Sequence, residues 1–236
     1  MRPGIVGFQG GTVVAKGIAK QVAAVRAEME KRPRGLVAHV ERVLAEAEDL
    51  GRRWDLDPGR IALAVWGHDL FRSYRPGEQL RLAREAGVPI GEVDEASPVI
   101  LHGPIAAVVL REIFAVRDDE ALEAVRTHTV GMARMPLLAK VILLADKVEP
   151  RKRKRTPIMA EVRRLARRDL DLALLCWADW KWVDERKRRW LCHPDHWEAR
   201  LEWVREHHLE REMPPRVDEA AWYAQQEIET APVRGS

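Results

Sequence analysis

Four histidines and two aspartates fall at or near apolar helical positions in the first 150 residues of this chain. In chain order they are His39, His68, Asp69, His102, His128 and Asp146. An ionised carboxylate in an apolar interior normally pairs, takes up a proton or binds a cation. Imidazole and carboxylate ligands without thiolate favour iron, manganese, zinc or nickel over calcium. The set therefore predicts a transition-metal centre assembled from several helices.

Each member of this set has a simpler explanation when it is taken alone. Any one of the histidines could be a hydrogen-bonded core or surface residue, and Asp69 could belong to the last turn of a helix. Asp146 is the hardest to explain in this way, because a run of apolar residues directly precedes it. The order of the six along successive helices is therefore a stronger signal than any single member.

Helical periodicity predicts the elements that carry the first of these residues. Apolar residues at 36, 40, 43, 47 and 50 form one face of a helix with His39 at its edge, and Gly51 is expected to close that helix. Asp57 is expected to cap the next helix, with Pro58 at its first position. The adjacent His and Asp at 68 and 69 then point along core-facing rows, and Arg72 is expected one turn further on.

The remaining ligand candidates follow on three more predicted helices. Pro104 is expected to open a helix just after His102, and Asp118 is expected to cap the helix that leads to His128. Asp146 lies three and four residues after apolar positions of the strongly apolar segment "MPLLAKVILLADKVEP". The candidates thus belong to five predicted elements, with His68 and Asp69 on the same one, and these elements must converge if the residues are to share a metal.

Composition predicts an all-α protein. Hydrophobic residues make up 46% and charged residues 33% of the 236 residues, while aromatic β-formers are scarce and no period-2 pattern occurs. No segment approaches the ~18 consecutive apolar residues of a membrane span, and the N-terminus lacks a sufficient apolar core for a signal peptide. Cys176 and Cys192 have no metal-motif spacing. These features predict a cytoplasmic protein with reduced thiols and no membrane association.

The second half of the chain carries a basic run and most of the tryptophans. Nine Arg and Lys residues lie between Arg151 and Arg168, against Glu161 alone. Such a run could bind the phosphates of a nucleotide or a nucleic acid, or it could be a solvated helix face. Seven of the nine tryptophans follow residue 170 among two or three further predicted helices. Tryptophans among arginines could stack bases, although helical spacing is more typical of core positions.

The order of the ligand candidates resembles that of HD-domain phosphohydrolases with two metals. It is most similar to the bacterial YqeK-type family, the symmetrical diadenosine tetraphosphate hydrolases or bis(5'-nucleosyl)-tetraphosphatases. The matching segments are "HVERV" at 39–43, "HD" at 68–69, "SPVILHGPIAA" at 97–107, "HTVGMARMPLLAKVILLAD" at 128–146, "EP" at 149–150, "DLDLALL" at 169–175 and "HPDHWEAR" at 193–200. The resemblance implies an all-α HD-domain helical bundle with an additional C-terminal helical segment. It covers about residues 34–205, which predicts an N-terminal arm at 1–33, an HD-type metal-dependent phosphohydrolase domain at 34–205 and a C-terminal tail at 206–236.

The resemblance also implies the roles of individual residues. Two divalent ions, expected to be iron with manganese or another transition metal as alternatives, would be bound by His39, His68, Asp69, His102, His128 and Asp146, with Asp69 bridging. A water activated by these metals would attack a phosphorus of diadenosine tetraphosphate in line and release two ADP. The catalytic residues are then His68, Asp69 and Arg72, and the predicted substrate contacts are Arg72, Thr129, Lys152 and Arg153. The other histidines, at 193, 196, 207 and 208, are not expected at the metals, and a homodimer is an option that the sequence leaves open.

Departures from the family pattern cluster near the expected substrate pocket. Arg72 stands where the family usually has Lys, Gly67 where a larger apolar residue is usual, and Lys147 where an aromatic residue is common. The segment "EPRKRKRTP" is two residues longer than usual, so the residue among 151–155 that contacts phosphate is ambiguous. Two other functions therefore stay open. One is an HD phosphohydrolase of another nucleotide, and the other is a nucleotide- or nucleic-acid-binding protein with a structural metal centre.

Overall fold

The computed structural model describes residues 17–209, and this part of the chain contains helices and no strand. The predicted N-terminal arm up to residue 16 and the tail from residue 210 lie outside the described residues. The helices are α1 Ile18–Met29, α2 Arg34–Arg53, α3 Pro58–His68, α4 Pro76–Glu85, α5 Glu92–Ala96, α6 His102–Glu112, α7 Asp119–Thr127, α8 Leu137–Val148, α9 Pro150–Arg155, α10 Ile158–Ala166, α11 Leu170–Arg188 and α12 Pro194–Leu209, with a 3-10 turn at Pro98–Leu101 before α6. The predicted all-α fold class is confirmed.

Helix α8 lies at the centre of the bundle. It packs against α2, α3, α7, α10 and α11, and most of its residues are buried. A helix that is apolar on nearly all sides suits this position, because every face meets a neighbour. Helix α1 packs against α3, and its Val25 and Met29 are fully buried in the same core. None of the helices among residues 17–209 has the length and apolar character that crossing a membrane requires.

The N-terminal ends of α3 and α7 are joined by an ion pair between Arg60 and Asp118. Asp57 accepts a hydrogen bond from the backbone N–H of Arg60 at 2.8 Å, and Asp118 accepts one from the N–H of Ala121 at 3.0 Å, so both predicted caps are confirmed. The Arg60 side chain also donates two hydrogen bonds to the Asp118 carboxylate, at 2.5 and 2.7 Å. Since α3 and α7 start at this pair and pack along each other, their C-terminal ends meet as well, and His68 and His128 stand at those ends.

The expectation that Gly51 closes the second helix is wrong. Helix α2 continues to Arg53, and Gly51 lies within its last turn. A Cβ atom at this position would stand 2.1 Å from the Cδ1 atom of Ile61 on α3. The glycine therefore serves the close approach of α2 and α3 and does not end the helix.

Much of the basic run is used inside the fold. The buried carboxylate of Glu46 on α2 accepts hydrogen bonds from Arg153 at 2.7 Å and from Arg163. Asp49, one turn further on, accepts from Arg163 at 3.1 Å and from Arg167. These ion pairs fasten α9 and α10 to α2, so a substantial part of the run acts as a structural connection.

Candidate metal centre

The six ligand candidates converge because each stands in a helix or at a helix end that faces one region of the bundle. His68 is the last residue of α3 and Asp69 follows it, His102 is the first residue of α6, and His128 directly follows α7. His39 lies in the second turn of α2 and Asp146 in the last turn of α8. All are buried except His39, whose side chain is 15% exposed.

Two local expectations need correction here. His102 was expected just before its helix, but it is the first helical residue, because the Pro98–Leu101 turn leads straight into α6. Arg72 was expected one helical turn beyond His68, yet α3 ends at His68. A turn follows, in which the N–H of Arg72 donates to the carbonyl of Asp69 at 3.0 Å. Because the chain turns at Asp69, Arg72 reaches the cavity from a turn and not from the face of a continuing helix.

The carboxylate of Asp69 lies between two pairs of histidines. Its Oδ1 atom is 3.0 Å from His102 Nε2 and 3.7 Å from His128 Nε2. Its Oδ2 atom is 3.5 Å from His39 Nε2 and 3.6 Å from His68 Nε2. Two groups of three residues each bring their ligand atoms within 4.8 Å of one another. One group is His39, His68 and Asp146, and the other is His68, Asp69 and His128. His68 belongs to both groups, and the two oxygens of Asp69 face different histidine pairs.

Three of the histidine rings are held by the same backbone contact. The Nδ1 atom of His68 lies 2.6 Å from the carbonyl oxygen of Val65, and that of His128 lies 2.8 Å from the carbonyl oxygen of Val125. His102 makes the same contact with the carbonyl of Val99. A carbonyl only accepts, so each Nδ1 carries the proton and each Nε2 presents a lone pair to the cluster. A valine three residues before each histidine is thus a recurrent local pattern in this chain.

The Nε2 atoms of the neutral histidine rings do not all find hydrogen-bond donors among the described residues. The Nε2 atom of His68 is buried and has no hydrogen-bond partner in the part of the chain that the structure describes. The Nε2 atoms of His102 and His128 face each other at 2.9 Å, although both carry lone pairs when Nδ1 is protonated. A buried polar atom without a partner is costly. Divalent cations among these nitrogens would satisfy all of them, so the residues fit a metal centre.

The protonation states of the cluster suit metal binding. Burial lowers the pKa of His68, and it lowers that of His128 to about 3, with neighbouring histidines adding to the effect. Burial by itself raises the pKa of Asp69, but the surrounding imidazoles of His68, His102 and His128 outweigh it and hold this pKa well below its usual range. Neutral imidazoles and ionised carboxylates are the forms that bind metal ions.

Asp146 is in contact with two lysines as well as with the cluster. Its Oδ1 atom lies 3.1 Å from His39 Nε2 and 2.5 Å from the Nζ atom of Lys152. Its Oδ2 atom lies 2.7 Å from the Nζ atom of Lys147, which also donates to the carbonyl of His128 at 3.0 Å. Burial raises the pKa of Asp146, but the charges of Lys147 and Lys152 more than offset it, so the carboxylate is ionised.

Glu149, to which the sequence alone assigned no role, lies behind His39. The Oε1 atom of Glu149 is 3.6 Å from His39 Nδ1. Its Oε2 atom accepts hydrogen bonds from Arg42 Nε at 2.7 Å and from the N–H of Arg151 at 3.0 Å. The only sequence signal was its place in the "EP" segment after Asp146. The carboxylate thus faces the outer nitrogen of His39, on the side of the ring away from Asp69 and Asp146.

We expect Glu149→Gln to weaken metal binding by about 10- to 100-fold, because carboxylates behind ligating histidines contribute effects of this size. The matched control is Glu41→Gln, an exposed position on the same helix as His39. Metal affinity of the two variants, measured by calorimetric titration, checks the expectation. Equal affinities would show that Glu149 does not orient His39.

A cavity of about 610 Å³ opens in front of the cluster. Its walls include the predicted substrate contacts Arg72, Thr129 and Lys152, together with Arg151 and Arg155. No ion pair to a carboxylate holds the guanidinium of Arg72, Arg151 or Arg155 within residues 17–209. The cavity therefore joins the carboxylates and imidazoles of the cluster to a rim of uncommitted positive charge, which suits a polyanionic ligand.

Other sequence candidates lie away from this cavity. The guanidinium of Arg153 donates to Glu46 at 2.7 Å and to the carbonyl of Val148 at 2.8 Å, so the structure does not bring this predicted substrate contact to the cavity. His193 faces Asp94 at 3.4 Å, and His196 is held by the carbonyl of Val130. The side chains at 207 and 208 lie outside the described residues.

Gly103 holds the two helix ends of the cluster at close range. A Cβ atom here would stand 2.8 Å from the carbonyl oxygen of Val125, the atom that anchors His128, and 3.0 Å from that of Arg126. We expect Gly103→Ala to lower the free energy of unfolding by about 1–3 kcal/mol, because backbone must shift to accommodate the methyl group. Metal affinity should fall with it, since the shift displaces His128.

Gly35→Ala on α2 is the matched control, because nothing lies within 4 Å of a Cβ atom at that position. Thermal unfolding and metal titration of both variants check the expectation. If Gly103→Ala were as stable as Gly35→Ala and bound metal equally well, the close approach of α6 and α7 would not constrain the cluster.

Comparisons with known proteins match the same region. Residues 36–151, which contain all six ligand candidates, match the family model described as HD domain. The symmetrical bis(5'-nucleosyl)-tetraphosphatase of Bacillus subtilis (strain 168) is 35% identical over 139 residues, 58% of this chain and 72% of that protein. The protein of the same name from Halalkalibacterium halodurans is 31% identical over 137 residues, again 58% of this chain and 72% of that one.

A solved structure extends the similarity over more of the fold. The crystal structure of a predicted HD superfamily hydrolase involved in NAD metabolism from Clostridium acetobutylicum superimposes with a TM-score of 0.73. The match covers 78% of this chain and 97% of that chain at 23% sequence identity. At this identity the similarity concerns the arrangement of helices.

Proposed function

Because the chain belongs to the HD-domain family that includes the symmetrical bis(5'-nucleosyl)-tetraphosphatases, we propose that it hydrolyses diadenosine tetraphosphate symmetrically to two ADP. The observation that carries this proposal is the convergence of four imidazoles and two carboxylates at the base of a cavity with a cationic rim. A metal-dependent phosphoanhydride hydrolase needs both parts. The first binds metal and the second binds phosphate.

The metal part of the proposal assigns two divalent ions, expected to be iron or manganese, to the six residues of the cluster. Asp69 is assigned the bridging position, since its two oxygens face different histidine pairs. When bound, such ions supply Lewis acidity and lower the pKa of a water into the neutral range. His68 contributes a neutral ring whose Nδ1 is held by the carbonyl of Val65 and whose Nε2 has no hydrogen-bond partner within residues 17–209.

The chain's own cations orient the substrate. Arg72 lies in the turn after Asp69, and Arg151 and Arg155 lie on α9. All three line the cavity. Planar guanidinium groups can hold two phosphate oxygens at once, and they offset the negative charge that develops during phosphoryl transfer. Thr129, whose Oγ1 atom is 3.3 Å from His128 Nε2, places a hydroxyl beside the cluster.

A hydrolase of a different polyanionic nucleotide is the second candidate. It is favoured by Arg72 and by the cavity position of Arg155, which belongs to the lengthened segment after Glu149. The nucleic-acid-binding alternative has less support, because Arg153, Arg163 and Arg167 are engaged by carboxylates of α2. The buried positions of Trp177 and Trp203 also remove two of the aromatic rings from a stacking surface.

Product analysis tests the proposal directly. Protein loaded with iron or manganese is incubated with a panel of dinucleoside polyphosphates and mononucleotides, and the products are separated by chromatography. We expect two ADP from diadenosine tetraphosphate, loss of activity with a chelator and recovery when metal is restored. Release of AMP and ATP, or turnover of another nucleotide alone, would overturn the proposed reaction.

We expect Arg155→Ala to raise KM for diadenosine tetraphosphate by about tenfold or more, since a charge-assisted hydrogen bond is worth about 1.5–3 kcal/mol. Lys154→Ala is the control, because this neighbour removes the same charge from an exposed position that is not part of the cavity lining. Steady-state kinetics of both variants check the expectation. Equal KM values would remove Arg155 from the substrate site.

A further inference from the structure

Both oxygens of the Asp146 carboxylate are capped by ammonium groups. Lys147 Nζ lies 2.7 Å from Oδ2, and Lys152 Nζ lies 2.5 Å from Oδ1. The metal site proposed above needs an oxygen of this carboxylate, so at least one of the two contacts conflicts with metal binding. Either Lys147 or Lys152 must therefore leave Asp146 when metal binds.

The two lysines differ in how firmly they are held. Lys147 has a second bond to the carbonyl of His128, and its side chain is 16% exposed. The side chain of Lys152 is 27% exposed, and its ammonium has Asp146 as its one partner among the described side chains. Lys152 is therefore the lysine that can leave at lower cost.

The position of the Asp146 Oδ1 atom also indicates that Lys152 is the lysine displaced by metal. Oδ1 is the oxygen that faces His39 Nε2, at 3.1 Å, whereas Oδ2 faces Lys147, whose ammonium also donates to the carbonyl of His128. A cation shared by His39 and Asp146 needs Oδ1, and a divalent ion and an ammonium group on one oxygen repel each other. Metal binding must therefore displace Lys152 and can leave Lys147 in place.

The cavity offers Lys152 a second partner. It lies on α9 between Arg151 and Arg155, and all three residues line the cavity. We propose that Lys152 exchanges between Asp146 in the free protein and a phosphate group of the bound ligand, so that metal and phosphate bind cooperatively. This inference rests on the proposed metal site. Linkage requires the effect to be mutual, with each ligand raising the affinity of the other by the same factor.

The test uses the full-length protein stripped of metal and titrated with Mn²⁺ in a calorimeter, with and without inorganic phosphate. We expect phosphate to strengthen Mn²⁺ binding to the wild-type protein by at least tenfold. Lys152→Met should bind Mn²⁺ at least tenfold more tightly than wild type without phosphate, and phosphate should then add less than threefold. Lys152→Gln, which also removes the charge, should behave in the same way.

Lys154→Met is the matched control, since it removes the same charge from an exposed position on the same helix and should titrate like wild type. If the Lys152 and Lys154 variants gave the same Mn²⁺ affinity and the same phosphate effect, the exchange would be refuted while the metal site stood. If wild type bound Mn²⁺ no better than Asp146→Ala, the metal site itself would be wrong, and with it the proposed function.

Discussion

Asp69→Asn should abolish hydrolysis while leaving the protein folded. The amide has nearly the shape of the carboxylate, but it removes the negative charge that lies between the two histidine pairs. Metal ions contribute several kcal/mol of transition-state stabilisation, so their loss or misplacement corresponds to a decrease in kcat of about a thousandfold or more. Turnover of diadenosine tetraphosphate and metal content by elemental analysis check the expectation.

Asp171→Asn is the control for this substitution. Asp171 is a partly exposed carboxylate on α11 that pairs with Lys140, so its loss should change the free energy of unfolding by less than about 1 kcal/mol and leave turnover unchanged. If Asp69→Asn kept full metal content and wild-type turnover, Asp69 would not be a ligand. The assignment of the whole cluster would then need revision.

Trp177→Ala should lower the free energy of unfolding by about 3–5 kcal/mol, the usual cost of truncating a large buried aromatic side chain. The indole of Trp177 is 1% exposed. Its ring centroid lies 5.1 Å from that of His196 and 6.4 Å from that of Trp203, both on α12. Lys147 Nζ, which contacts Asp146, stands 5.7 Å from the centroid of the same ring.

Trp190→Ala is the matched control for this core position. Trp190 is 57% exposed after the end of α11, and its removal should change the free energy of unfolding by about 0.5 kcal/mol or less. Urea unfolding followed by circular dichroism measures both variants. A similar small loss for Trp177→Ala would mean that α11 and α12 are not part of the cooperative core.

The all-α fold and several of its details follow from local rules that the sequence displays. The Asp57 and Asp118 caps form as predicted, because a side-chain oxygen before a helix satisfies N–H groups that the helix leaves open. Gly51 shows the limit of such rules. In the sequence, a glycine that ends a helix cannot be told from one that allows another helix to pack closely. Only the position of Ile61 on α3 shows that Gly51 is of the second kind.

The basic segment after Glu149 shows a second limit. Successive residues of a helix point about 100° apart, so the start of α9 decides which of five adjacent cations reach the cavity. Arg151, Lys152 and Arg155 line it, whereas Arg153, a predicted substrate contact, pairs with Glu46. The partner of Arg153, Glu46, lies 107 positions away in the chain, beyond the reach of local pattern.

The sequence by itself determined the fold class, the family resemblance and the six residues that come together, because residue type and apolar spacing are local properties. Their role as metal ligands remains a prediction. Only the tertiary structure decided the direction of the ring nitrogens, the approach of Glu149 to His39 and the contacts of Lys147 and Lys152 with Asp146. These depend on which atoms of distant helices meet, and that is a property of packing.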